Sequence, residues 1–131
     1  MYTALRAALD TGGHTDVDVF HVFTGDDSPL IKSAEPPLVT YRQDVERVTG
    51  TTGGGSLKVL RSNWPMVAYD QDLADALAYT SVIVSALTDA KLTTTDGYST
   101  TNISPLGVMS LYETDSQLYA VHFRLEWERS K

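Results

Sequence analysis

Apolar positions along the chain switch between two periods, and the switches mark out helices and strands. In "YTALRAALD", Leu5, Ala8 and Leu9 recur at helical spacing, and "TGG" then stops the helix with glycine. "DVDVFHVF" alternates instead. Val17, Val19, His21 and Phe23 fall to one side and Asp18, Phe20 and Val22 to the other, which predicts a strand. "TGDDSPLIKSAEPP" is a loop by composition, and it leads into a long extended run, "LVTYRQDVERVTG", from Leu38 to Gly50. Val39, Tyr41, Val45 and Arg47 lie on or near one parity of that run, and Thr40, Arg42, Asp44 and Glu46 on the other. After the glycines of "TGTTGGGS" (Thr49 to Ser56), "SLKVLRSNW" resumes a β pattern, so the two runs read as an antiparallel hairpin with a mobile tip.

The next element has the strongest helical period. In "YDQDLADALAYTSVIVSALTD", Leu73, Leu77, Thr80, Val84 and Leu87 recur three or four apart, with Ala76 and Ile83 beside them. Asp70 or Asp72 is placed to cap its amino terminus. "KLTTTDGYSTTNISP" reads as a polar loop with a turn at Asp96-Gly97, and "LGVMSLYETDSQLYAVHFRLEWER" as a second hairpin turning at "ETDS". In its last strand Tyr119, Val121, Phe123, Leu125 and Trp127 alternate with Ala120, His122, Arg124, Glu126 and Glu128. The order is helix, three strands, helix, two strands. It predicts an α+β fold, an antiparallel sheet of about four to five strands with two helices packed on one face.

The 131 residues suit a single domain, 1–131, and 42% hydrophobic against 21% charged residues suit a packed core. Cysteine is absent, which excludes disulfides and thiolate metal sites. Neither a secretory signal nor a membrane-spanning run is visible in the sequence, so a soluble, unexported protein without membrane partners is expected. A net charge of −7 argues against a general electrostatic footprint for nucleic acid.

The motifs that would carry chemistry fail on detail. A phosphate-binding loop needs Lys-Ser/Thr opening a helix, whereas "GGGSLKVL" leads into a strand. Asp10-Thr11-Gly12 spells the aspartic-protease triplet, but it ends a helix rather than sitting between strands. His14, His21 and His122 lack metal-ligand spacing, and Asp16, Asp18, Asp26 and Asp27 lack that of an EF-hand. Asn102-Ile103-Ser104 is a sequon in form only, and no serine sits in a nucleophile elbow. No enzyme activity, cofactor or metal is therefore expected. The ladder Arg124, Glu126, Glu128 with Arg129 reads as a solvated sheet face; in a ring-forming protein it would instead be a subunit interface, pairing with Arg42, Glu46 or Arg47 of a neighbour.

Taken in order, these segments resemble the tail completion, or tail terminator, proteins of long-tailed bacteriophages. The likeness rests on the "ALRAAL" helix, the "VDVFHVF" strand, the Pro-rich loop entering "PLVTY", the passage "SNWPMVAYDQDLADALAYTSVIVSAL", and the closing "LYETDSQLYAVHFRLEWER". It covers nearly the whole chain as a pattern, without an invariant signature. The resemblance implies a virion protein, assembled in the host cytoplasm, that forms a typically hexameric ring on the head-proximal end of the tail tube. Such a ring ends tube polymerisation and receives the head connector, so the implied partners are further copies, the tail tube protein and the connector. DNA would pass through its lumen without specific binding, which suits an acidic subunit. Thr49, Thr51, Gly53, Gly54, Gly55 and Ser56, at the glycine-rich hairpin tip, are the expected assembly contacts beside the charged ladder. A head-completion or neck protein, and a small ligand-binding or enzymatic α+β domain, are the alternatives.

Overall fold

A computed structural model describes residues 1–22, 35–52 and 57–131. Among these, helix α1 (Tyr2–Thr11) is followed by strands β1 (Asp18–His21), β2 (Leu38–Tyr41), β3 (Arg47–Thr52) and β4 (Leu57–Asp70). Helix α2 (Leu73–Leu87) and strands β5 (Ser99–Glu113) and β6 (Leu118–Ser130) complete the order. The strands form one six-stranded sheet in the order β1-β2-β4-β6-β5, with β3 also on β4. The architecture is α+β as the sequence predicts, with six strands rather than four to five and one parallel pair, β1 with β2. A parallel pair needs a crossover of about a dozen residues or more, and residues 22–37 supply that length.

The long run expected from Leu38 to Gly50 is two strands placed in tandem along one edge of β4. β2 pairs with Met66 to Tyr69, and β3 with Leu57 to Arg61. The chain between them stays beside β4, since the Arg42 N–H donates to the Pro65 carbonyl at 3.1 Å and the Asp44 N–H to that of Asn63 at 2.9 Å. One residue is then gained before Arg47 pairs with Arg61, and Val45 is left 82% exposed. Alternation alone carries no sign of such a bulge. Pro65, which has no N–H to give, falls opposite this irregular stretch.

Both helices pack on one face of the sheet, where Leu5, Leu9, Val39, Met66, Ile83, Val121 and Leu125 form the centre of the core. In α2 the buried stripe is Ala76, Tyr79, Thr80, Ile83 and Leu87, while Leu77 is 39% exposed. The stripe is thus rotated from the expected one, with Leu73 and Val84 at its margins. Asp72 caps the helix, its carboxylate accepting from the Ala74 N–H at 2.8 Å. Asp70 accepts from the Asp72 N–H at 2.9 Å and from the Tyr79 hydroxyl at 2.7 Å. Burial first, then that bond to Asp70, pushes the Tyr79 phenol well above its ordinary pKa.

Asp10 and Thr11 close α1, and Gly12 sits where α1 crosses α2. A Cβ on Gly12 would lie 2.6 Å from one γ-carbon of Val82 and 3.0 Å from the other. Valine in a helix cannot turn away easily. Gly12→Ala is therefore expected to cost about 1–3 kcal/mol. In urea unfolding, the Gly12→Ala/Val82→Ala double variant should lose less than the two single losses combined. Strict additivity would show that the helices do not meet here.

Candidate assembly surfaces

The face of the sheet away from the helices changes character along the strands. At one end the cross-strand rows are Arg61–Glu128–Asn102 and Asn63–Glu126–Ser104. At the other they are Val67–His122–Met109 and Leu38–Tyr69–Ala120–Leu111. At the first end Arg61 lies 2.9 Å from Glu128 and 3.8 Å from Glu126. These acids of the predicted ladder are therefore paired within the chain, by an arginine that sequence reasoning did not single out.

Arg129 lies on the helix-facing side of β6 and is 9% exposed, not part of a solvated ladder. Its guanidinium donates to both carboxylate oxygens of Glu46, at 2.6 and 2.8 Å, and to both of Asp96 at 3.0 Å. The same terminal nitrogen that faces Asp96 lies 2.7 Å from the Thr94 hydroxyl, and the group lies 5.1 Å from the Tyr98 ring and 5.4 Å from that of Trp127. The expected pairing of Arg129 with Glu46 exists, but inside one molecule: it ties the end of β6 to the chain before β3 and to the Asp96-Gly97 turn. Arg42 pairs with Asp44 at 3.1 Å. Arg124 and Arg47 are exposed, without an ion pair among the described residues. Thr49 and Thr51 are exposed on β3, and the Thr49 hydroxyl donates to the Val59 carbonyl at 3.4 Å. Gly53, Gly54, Gly55 and Ser56 lie outside the described residues.

The surface that the sequence did not reveal is the outer edge of β5, and main-chain bonds locate it. Ser99 bridges to Thr93, the Thr100 N–H donates to the Leu92 carbonyl at 2.8 Å, and the Asp89 N–H to the Ile103 carbonyl at 2.9 Å. Residues 89–94 thus cover the polar beginning of the strand, "STTNI". From Ser104 to Glu113 no main-chain partner lies on the outer side among the described residues. That open stretch is the apolar one. Leu106, Val108, Met109, Leu111 and Tyr112 are 44–56% exposed and point to both faces. A long, apolar, unpaired edge is what soluble monomers avoid. The signal in the sequence is that "LGVMSLY" is apolar at both parities, unlike the alternating β6 opposite it.

Charge is divided along the same axis. Asp16, Asp18, Asp70, Asp72, Asp75, Glu113 and Asp115 gather where β4 ends and the β5–β6 turn lies. At the opposite end Lys58, Arg61, Arg129 and Lys131 are matched by Glu46, Asp96, Glu126 and Glu128, so charge there is balanced. Under the acidic end, burial and then Glu113 push the Tyr69 phenol up to about 12. The three histidines do not converge: His14 meets the Tyr79 ring edge-on at 4.9 Å, His21 lies 5.0 Å from the Tyr41 ring, and His122 sits in the open-face row with Met109. No described helix is long and apolar enough to cross a membrane.

No protein-family model matches the chain, and no curated protein matches it. Among solved structures, the fold is similar to that of a chain in the virion of a native gene transfer agent particle. The TM-score is 0.64 and the identity 15%, over 99% of this chain and 91% of that chain. At that identity the likeness is one of fold.

Proposed function

We propose that this protein is a non-enzymatic structural component of a virion, and that it forms a ring, hexameric in the family it resembles, at the head-proximal end of a phage tail tube. The ring ends tube polymerisation and gives the head connector its docking surface. The observation that carries this reading is the end-to-end fold likeness to a virion chain, which spans nearly all of both proteins. The apolar open edge of β5 supports it, because an assembly subunit needs a surface that is completed only by a neighbour. The partners are further copies of the chain, the tail tube protein and the connector. The net charge of −7 favours a lumen through which DNA passes without adhering.

Deleting the gene from its phage is expected to leave tails of irregular length and filled heads without tails, both visible by electron microscopy. Tails of normal length joined to heads would refute the assignment. Full-length tails that merely fail to join would point to a neck role instead.

A further inference from the structure

We infer that the end of the open edge of β5, from Val108 to Glu113, takes β3 of the next copy as an added antiparallel strand, so that one sheet runs on from subunit to subunit. The inference rests on the ring reading above and names the surface that builds the ring.

β5 and β3 lie on opposite sides of the sheet, and the outer side of β3 is also unpaired among the described residues. A contact between two different edges is heterologous, the kind that closes into a ring. Their directions suit it. β3 and β6 are both antiparallel to β4, and β5 is antiparallel to β6, so β5 of one copy and β3 of an equally oriented neighbour run antiparallel.

Register follows from charge and burial. β5 ends in Glu113, within the acidic end of the sheet, and β3 begins with Arg47, which is exposed and has no ion pair among the described residues. Antiparallel pairing of Arg47 with Glu113 sets Val48 opposite Tyr112. These two are 55% and 52% exposed in the isolated chain. The faces agree as well. Val48 pairs with Leu60 and Tyr112 with Tyr119, on the side that carries the helices; Arg47 and Glu113 pair with Arg61 and Leu118, on the open side. An apolar pair and an ion pair therefore form together without turning either sheet over.

The chain has no cysteine, so a designed pair reports cleanly. Val48→Cys with Tyr112→Cys, oxidised mildly, is expected to give a covalent ladder up to the full ring on non-reducing gels, and neither single variant should. Arg47→Glu should weaken assembly about tenfold or more, measured as native mass against concentration, and Glu113→Arg added to it should restore assembly. Circular dichroism checks that each exposed substitution leaves the fold intact. A covalent dimer from Tyr112→Cys alone would overturn the inference in favour of a two-fold β5–β5 contact. Wild-type rings that neither cross-link through the pair nor respond to the charge exchange would overturn it while leaving the ring reading standing. A wild-type protein that stays monomeric, both in solution and on tail tubes, would overturn both.

Discussion

Arg129→Ala is expected to destabilise the fold by about 3 kcal/mol, near the lower end of what breaking a buried ion pair costs. The lower end applies because the acids left behind are partly wet: the Glu46 side chain is 21% exposed and that of Asp96 49%. Both can regain some water once the guanidinium is gone, which limits the penalty. Arg129→Lys keeps the charge but not the planar fork that reaches both oxygens of Glu46, and should lose about half as much. Urea midpoints on the two variants test this ordering. Equal losses would mean that charge alone, not fork geometry, holds the end of β6.

The same cluster sets an acid dependence. The Thr94 hydroxyl first, then the Tyr98 N–H and Arg129, hold the Asp96 carboxyl below its ordinary value of 3.8, against a desolvation effect second in size only to that of Thr94. A carboxyl depressed in the folded state gives stability that is present above its unfolded pKa and is lost as pH falls through its folded one. Wild-type stability should therefore fall as pH drops below the ordinary carboxylate value of 3.8. Thr94→Val, which removes the largest single contributor, should flatten that fall. An unchanged acid limb in Thr94→Val would contradict the assignment.

What was legible in the sequence depended on whether one layer of packing decided it. β6 was legible because Val121, Phe123, Leu125 and Trp127 all face the helices, all at or below 4% exposure. α2 and its Asp72 cap were legible for the same local reasons, although its stripe was set a step off, toward Leu77. β5 was not. Its first half is rich in Ser, Thr and Asn and reads as loop, yet it is held in the sheet by β6 on one side and by residues 89–94 on the other. The division of Leu38–Gly50 into two strands was hidden too, because the residue gained between Asp44 and Arg47 leaves no mark in the alternation.

The candidate site was legible only as residue types. Arg129 and Glu46 stand 83 positions apart in the chain. Nothing in their spacing told whether they pair within a subunit or between subunits. Arg61, which takes Glu126 and Glu128, lies in a different hairpin from both. The open edge of β5 depended on which main-chain groups found partners, and only tertiary structure assigns those. Half of the sheet is thus closed by internal ion pairs, and the other half ends in an apolar strand without a neighbour. That contrast divides the molecule into a part held by its own ion pairs and a part whose strand edge is left open among the described residues.

Trp127→Ala is expected to cost about 4 kcal/mol, a large share of the roughly 5–15 kcal/mol that a domain of this kind possesses. The ring is 3% exposed and meets Trp64 edge-on at 4.9 Å. Its removal would open a void between α2 and the β4–β6 pair. Trp127→Phe should behave quite differently. The indole N–H of Trp127 is buried without a hydrogen-bond partner among the described residues. Such a group carries a desolvation penalty of about 1–3 kcal/mol, which phenylalanine does not incur. The smaller ring gives up about 1 kcal/mol of burial and some packing, so the two effects nearly cancel and the net change should stay within about 1 kcal/mol. Unfolding followed by circular dichroism separates the two variants, since Trp127→Phe should unfold at nearly the wild-type urea concentration. A loss in Trp127→Phe as large as in Trp127→Ala would show that ring volume outweighs the unpaired N–H. The difference also bears on assembly, because β6 is the strand that presents β5. On the proposed ring reading, Trp127→Phe should leave assembly unchanged, whereas Trp127→Ala, by loosening β6, should lose the open edge of β5 together with the fold.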